Sequence, residues 1–392
     1  MKWPIVKIGD HCDLMTGGTP STSVDEYYEG GQIPWIASGD IHRTNVYDTD
    51  KCITKSGMDN SPAKYLPKDS VLIALNGQGK TRATVAMLRI ENATCNQSVI
   101  SINPKSKTTL DSYFLFHVLR SMYQQIRNIT GDKDRAGLNM RLISGIEIPL
   151  PPLDEQKRIA TILDQADELR RKRQRAIDRL NQLGQAIFHE MFGTIDEGDA
   201  IPFGDVVYFQ EGPGVRNWQF RDAGVKLVNV RNIVAGNLDT SNTNRHLEPS
   251  EAYGKYKHFL LNEGDFVLAS SGVTWGKIAE VLSQDLPLCL NTSMIRIRPR
   301  GDELRKSYLR GFIEMGSFRA QIDRIITGSA QPNFGPSHLK QIKIPVPKID
   351  EQDRFAEQIS KLKLCINHEV DQSECFDRLF ASLQHRVFQG EL

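Results

Sequence analysis

One segment of this sequence occurs twice. Ile148 opens the run I-P-L-P-P-L-D-E-Q-K-R-I-A. Ile344 opens I-P-V-P-K-I-D-E-Q-D-R-F-A, 196 residues further on in a chain of 392. Asp154 and Asp350 keep the same spacing. Repetition at half the chain length makes the molecule a tandem duplication, so its fold must consist of two like halves, each ending in the same long segment.

That segment reads as a helix with a stiff entry. Pro149, Pro151 and Pro152 hold the chain extended. Asp154 is placed as the N-cap, with Glu155 complementing the positive helix end. From Ile159 the apolar positions Ile162, Ala166, Leu169, Ala176, Leu180, Leu183 and Ile187 follow the coiled-coil period, interrupted by Arg173 on the seam. A helix over 154–192 is roughly 58 Å long at 1.5 Å per residue. The second copy, over 350–388, repeats the seam with Phe355, Leu362, Phe376, Leu379 and Leu383. Two such seams predict an antiparallel helix pair, and with it a pseudo-twofold dumbbell.

The rest of each half is a mixed segment. In the first, 33–36, 70–75, 84–90 and 98–102 read as strands bounded by turn residues, and 113–129 carries apolar residues at helical spacing. The second half repeats this framework: L-N-E-G-D-F-V-L-A from Leu261 answers L-P-K-D-S-V-L-I-A from Leu66, and L-N-T-S-M-I-R-I-R-P from Leu290 answers C-N-Q-S-V-I-S-I-N-P from Cys95. The loops differ almost entirely, and V-R-N-W-Q-F-R at 215–221 has no counterpart in the first half. The fold class expected is therefore α+β, with variable domains at 1–147 and 196–343 and long helices at 148–195 and 344–392.

A formal net charge of +1 provides no whole-molecule field for nucleic acid, so such binding must come from local patches or from partners. Six cysteines without a C-x-x-C pair suit reduced thiols. The opening M-K-W-P-I-V-K-I-G-D lacks the apolar core of a signal peptide and no apolar run reaches membrane-spanning length, so a cytoplasmic protein is expected.

Several motifs imitate chemistry. A-L-N-G-Q-G-K-T at 74–81 has Ala74 where a phosphate-binding loop needs its first glycine. D-E-Q-K at 154–157 contains an E-x-K, but Asp353 replaces the lysine in the second copy, so a helix start is the simpler reading. The nine histidines show no zinc spacing, and no dinucleotide or methyltransferase fingerprint occurs. No catalytic residue and no metal site is assigned.

What remains is polar recognition chemistry on loops. Asn76, Gln78, Lys80, Thr81 and Arg82 fall within seven residues, and Lys133, Arg135 and Asn139 follow. The second half offers Arg216, Asn217, Gln219 and Arg221 around Trp218, then Ser271, Thr274, Trp275 and Lys277, then Gln331 and Asn333. Arg, Asn and Gln read base edges in the major groove, whereas Lys, Ser and Thr more often hold phosphates. The basic run Arg170, Arg171, Lys172, Arg173 and Arg175 lies on the long helix. It reads as a solvated coiled-coil face or a surface for a partner subunit rather than a DNA contact.

Two variable α+β domains, each followed by P-x-P-x-x-D-E-Q and a long helix, resemble the specificity subunits of type I restriction–modification systems. The resemblance covers the whole chain. The second copy departs from the pattern at Lys348, Ile349 and Asp353. It implies a non-catalytic DNA-recognition subunit in which each variable domain is a target recognition domain reading one half of a bipartite double-stranded DNA target. The helices would set the gap and dock methyltransferase subunits, two per complex, with restriction–motor subunits joining. S-adenosylmethionine, ATP and Mg2+ would sit on those partners, for adenine-N6 methylation and ATP-dependent cleavage. The alternative from another class is a coiled-coil dimerising scaffold without DNA specificity.

Overall fold

The computed structural model describes residues 3–77, 81–129, 137–193, 198, 200–241, 243–272, 274–326 and 333–391, apart from the side chain of Gln389. The chain divides into two compact units, Met1–Arg173 with Gln372–Leu392, and Gln174–Asp371. Both long helices, Leu153–Phe192 and Ile349–Gln389, are therefore shared between units by halves. By packing, each unit keeps half of each helix.

In the first unit the central sheet runs Cys12–Thr16, Val99–Pro104, Val71–Ala74, Val85–Leu88, Asn45–Val46, antiparallel except for the last pair. Val71–Ala74 and Val85–Leu88 are apolar at every position because both faces are covered. Val71, Ile73, Val85, Met87, Ile100 and Ile102 face one core. Leu72, Ala74, Ala86, Leu88 and Val99 face another. The period of two along each strand sorts neighbours to opposite cores. A second sheet, Cys52–Ile53, Ile33–Ile36 and Thr94–Cys95, closes the unit.

The first core takes in helix Ser112–Ser121 and, from the long helices, Ile159, Ala160 and Leu163 with Phe380 and Val387. The helical region expected over 113–129 is two helices, Ser112–Ser121 and Tyr123–Asn128, broken at Met122. Within this unit the long-helix segments run antiparallel. Arg170 Nε lies 2.6 Å from Asp377 Oδ1, while Arg173 hydrogen-bonds Gln372.

The second unit repeats the plan. Its sheet runs Val207–Glu211, Met294–Pro299, Phe266–Ala269, Ile278–Glu280, with His246–Leu247, Val225–Val228 and Leu288–Leu290 as the second sheet. Here too the long-helix segments are antiparallel, with Phe188 and Phe355 in edge contact at 5.4 Å. Both units join helices to domain by apolar packing and ion pairs, Arg305 with Asp353 in the second, but the side chains differ. The second unit uses an aromatic cluster of Phe188, Phe192, Tyr308 and Phe355. In the first, Phe114 and Phe388 meet edge-on at 6.0 Å, His117 Nε2 lies within hydrogen-bond distance of Asp164 (2.8 Å), and Arg120 lies 3.0 Å from the nearly buried Asp167.

One tie is the same in both. Gln156 is fully buried; its Nε2 donates to Thr109 O (2.9 Å) and Pro151 O (2.8 Å), and its Oε1 accepts from Asp111 N (2.8 Å). Gln352, also fully buried, donates to Glu303 O and Pro347 O (both 2.9 Å) and accepts from Arg305 N (2.8 Å). The glutamine of D-E-Q thus pins each long helix to the start of a shorter helix in its own unit. The aspartate is not the cap expected from sequence. Pro152 O and Lys348 O accept the first helical amides, of Gln156 and Gln352, and Asp154 and Asp350 sit inside the first turn. There they still complement the helix dipole.

Each unit is also closed by a short antiparallel clasp, Ile5–Lys7 with Glu147–Pro149 in the first and Ile201–Pro202 with Lys343–Ile344 in the second. No helix among the described residues is long and apolar enough to cross a membrane.

Candidate nucleic-acid interface

The second unit carries an open polar cleft of about 520 Å3 at the end of its sheets. It lies between the loop at 213–221, the turn after Val225–Val228, and the turn joining Leu288–Leu290 to Met294–Pro299. Asn217, Asn229, Arg231, Arg245, Thr274, Asn291 and Thr292 line it. Five of them are fixed by local chemistry. Asn291, nearly buried, donates through Nδ2 to Asn229 Oδ1. Thr292 Oγ1 donates to Pro213 O at 2.9 Å, holding the start of the loop. Arg231 donates to Asn244, and the Arg245 guanidinium lies 4.7 Å from the Phe220 ring centre.

The strand leading into the loop must end on a glycine. A Cβ on Gly212 would stand 2.1 Å from Asn291 O. The first unit has the same constraint, since a Cβ on Gly17 would stand 1.6 Å from Cys95 O. The matching corner there is built from different side chains. Thr19 hydrogen-bonds Gln97, which occupies the middle of N-Q-S as Thr292 occupies the middle of N-T-S. Equal backbones thus present unlike groups.

The structure sorts the sequence candidates. Arg216, Asn217 and Arg221 are exposed on the 213–221 loop, and the Arg221 guanidinium donates to Trp218 O (2.9 Å) and Phe220 O (3.1 Å). Ser271 pairs with Asn333 through an isolated bridge, and Thr274 and Lys277 are exposed nearby. Asn76 is exposed in the first unit, and Thr81 is half-buried.

Three candidates are buried, and a fourth caps a helix. Gln219 is buried; its Nε2 reaches Tyr256 Oη (3.1 Å) and Glu251 (3.2 Å), and its Oε1 accepts from Arg216 N (3.1 Å). It shapes the loop rather than facing a base. Trp275 is 5% exposed, packed on Phe334 at 5.7 Å and covered by the Arg319 guanidinium at 4.2 Å. Arg82 is buried and donates to Arg127 O. Asn139 caps helix Met140–Ser144 through Leu142 N at 3.0 Å. Gln78, Lys80, Lys133, Arg135 and Gln331 lie outside the described residues.

Sequence reasoning missed Asn229, Arg231, Arg245, Asn291 and Thr292. The available signal was the N-x-S before an apolar strand in both copies, which had read as framework only. The basic run on the long helix also divides. Arg170 pairs with Asp167 and Asp377 and lies over Phe380 (4.6 Å), and Arg173 lies over Phe376 (4.9 Å). Both cover the unit's own helix pair. Arg171, Lys172 and Arg175 are exposed. Burial opposes the charge on Asp167, but Arg120, Arg171 and Arg170 outweigh it and hold its carboxyl below the usual range.

A duplicated α+β scaffold thus pins unlike polar loops, at equivalent sheet ends, to two long helices. The family model for the type I restriction modification DNA specificity domain matches residues 1–182 and again 200–373, so the chain belongs to that family. It is similar to the type I restriction enzyme MjaVIII specificity subunit of Methanocaldococcus jannaschii, with 23% identity across 100% of this chain and 93% of that protein. It is also similar to the EcoR124I/EcoR124II specificity subunit of Escherichia coli, with 30% identity over 39% of this chain and 38% of that one. Among solved structures, the S subunit of M. genitalium shares the fold at a TM-score of 0.51 and 17% identity, over 99% of this chain and 96% of that one. A chain from a type I restriction–modification assembly does so at 0.57 and 15%, over 100% and 98%. The protein is a DNA-specificity subunit, and the scaffold alternative finds no support.

Proposed function

We propose that each unit reads one half of a bipartite, asymmetric double-stranded DNA target and that the long helices set the unspecified gap. The observation that carries this reading is the pair of equivalent corners: Thr19 with Gln97 in one unit and Pro213 with Thr292 in the other, the same backbone presenting different chemistry. Unbroken helices of 40 and 41 residues suit a spacer. Arg216, Asn217, Arg221, Arg231, Arg245, Ser271, Thr274, Lys277 and Asn333 are the contacts assigned to the second half-site, and Asn76 and Thr81 to the first. Exposed Arg171, Lys172 and Arg175, beside exposed Leu169 and Leu379, belong to a surface for methyltransferase subunits, two per complex. Those partners carry S-adenosylmethionine for adenine-N6 methylation, and motor–nuclease subunits carry ATP and Mg2+. Acting on the cell's own DNA places the complex in the cytoplasm. A near-neutral chain leaves much of the phosphate clamp to its partners.

The test is a map of methylated adenines in cells expressing this chain with its methyltransferase. One motif of two short half-sites at fixed separation is expected. A contiguous motif, or methylation unchanged when this chain is omitted, would overturn the reading.

A further inference from the structure

We propose that Trp218 is a specificity-determining residue of the second unit, its indole making apolar contact with bases of the half-site that unit reads. The inference rests on the DNA-reading assignment above and adds a residue to it.

The indole of Trp218 is 72% exposed, whereas Trp275 of the same unit is 5% exposed and Trp35 of the other unit 9%. A lone exposed apolar side chain is ordinary at a protein surface; this one sits on a backbone that is held in place. Trp218 is held on both sides. Before it, Thr292 fixes Pro213 O, and Gly212 N donates to Met294 O at 2.9 Å. After it, Gln219 is buried in a three-partner clamp, and Arg221 exchanges backbone hydrogen bonds with His246 (3.0 and 3.2 Å). The Arg221 guanidinium closes on Trp218 O itself. Gln219 points inward and Trp218 is left outward, so the loop is built to present the indole.

The surroundings say to what. Arg216 and Arg221 flank the indole, and Arg231 and Arg245 line the adjoining cleft with Asn217. Such cations suit phosphates and guanine edges. An uncharged, rigid indole among them matches the part of duplex DNA that is apolar, a thymine methyl or the face of a base at an opened step. The loop also has no counterpart in the first half of the sequence, as a residue that distinguishes one half-site from the other requires.

The complex of this chain with its methyltransferase partner, carrying W218A or W218F, is used to select bound duplexes from a pool randomised across both half-sites. The wild type must first yield a bipartite motif; if it does not, the DNA-reading assignment itself fails. Expected for W218A is at least tenfold loss of base preference at one or two positions of one half-site. The other half and the gap should be unchanged, and W218F should restore part of the preference. Replacing thymine by uracil at the affected position should reproduce the loss if the contact is to the methyl group. An unchanged motif with W218A, a uniform loss over both halves, or weakened assembly with the methyltransferase at constant motif overturns the proposal.

Discussion

Gln156 and Gln352 occupy the same place in their two units, and each carboxamide makes three hydrogen bonds to backbone groups at distances that agree within 0.1 Å. Replacing either by leucine keeps the volume but strands two carbonyls and one amide away from water. Each stranded group costs about 1–3 kcal/mol. Q156L and Q352L should each lower the unfolding transition of their own unit by about 2–5 kcal/mol, read by calorimetry, with the other unit's transition in place. A shift below 0.5 kcal/mol would deny the clamp its role.

Asp167 is a titration probe for the first unit. Its folded carboxyl is depressed despite burial, so it adds stability above the ordinary value of 3.8 that is lost as the pH falls through its lower folded value. D167N should be less stable than wild type at pH 7 by about 1.5–3 kcal/mol, the range for hydrogen bonds to a charged group. In urea melts the gap should close at pH values below the ordinary carboxylate range. A gap independent of pH would assign the loss to packing.

The thiols divide by burial. Burial pushes Cys12, Cys95 and Cys289 up to about 12, so they are protonated at neutral pH. Cys365 and Cys375 are exposed and Cys52 is intermediate. At pH 8 an aromatic disulfide reagent should titrate Cys365 and Cys375 rapidly and Cys52 more slowly. The three buried thiols should react only after denaturation. Peptide mapping of the labelled chain checks the assignment.

Lys277 and Asn217 should behave differently on DNA. K277A should weaken binding at every sequence and reduce the slope of log affinity against log salt by about one. N217A should cost about 1–3 kcal/mol at its own base pair and leave the slope alone. Fluorescence anisotropy over a salt series with cognate and singly mismatched duplexes separates the two.

Gly212 is a steric requirement. With a Cβ placed 2.1 Å from Asn291 O, G212A must push the 213–221 loop off its anchor. Loss of second-half specificity with a melting shift of about 2 kcal/mol or more is expected.

The duplication, both long helices and the four main strands of the first unit were legible because each is carried by periodicity or repetition within one segment. The two-residue strands, such as Asn45–Val46, were not, because a distant edge decides their pairing. The helix start was misread for a local reason: Asp154 fits a cap, yet the proline entry lets Pro152 O take that part. Gln156 reads as ordinary helix-surface polarity, and only contact with Thr109 and Asp111 shows it buried. At the site, residue type found the right loops but not the pose. Gln219 and Asn217 are equally polar, and one faces inward while the other lines the cleft.

The two-stranded clasps carry a further consequence. Ile5–Lys7 beside Glu147–Pro149, and Ile201–Pro202 beside Lys343–Ile344, bring the entrance and exit of each recognition domain to a single seam. Everything between is a cassette with one standard plug. A foreign cassette ending in the same two strands, and offering the two backbone groups that Gln156 or Gln352 grips, meets the mechanical terms for insertion. A segment exchanged between these seams leaves every residue of the long helices as it was.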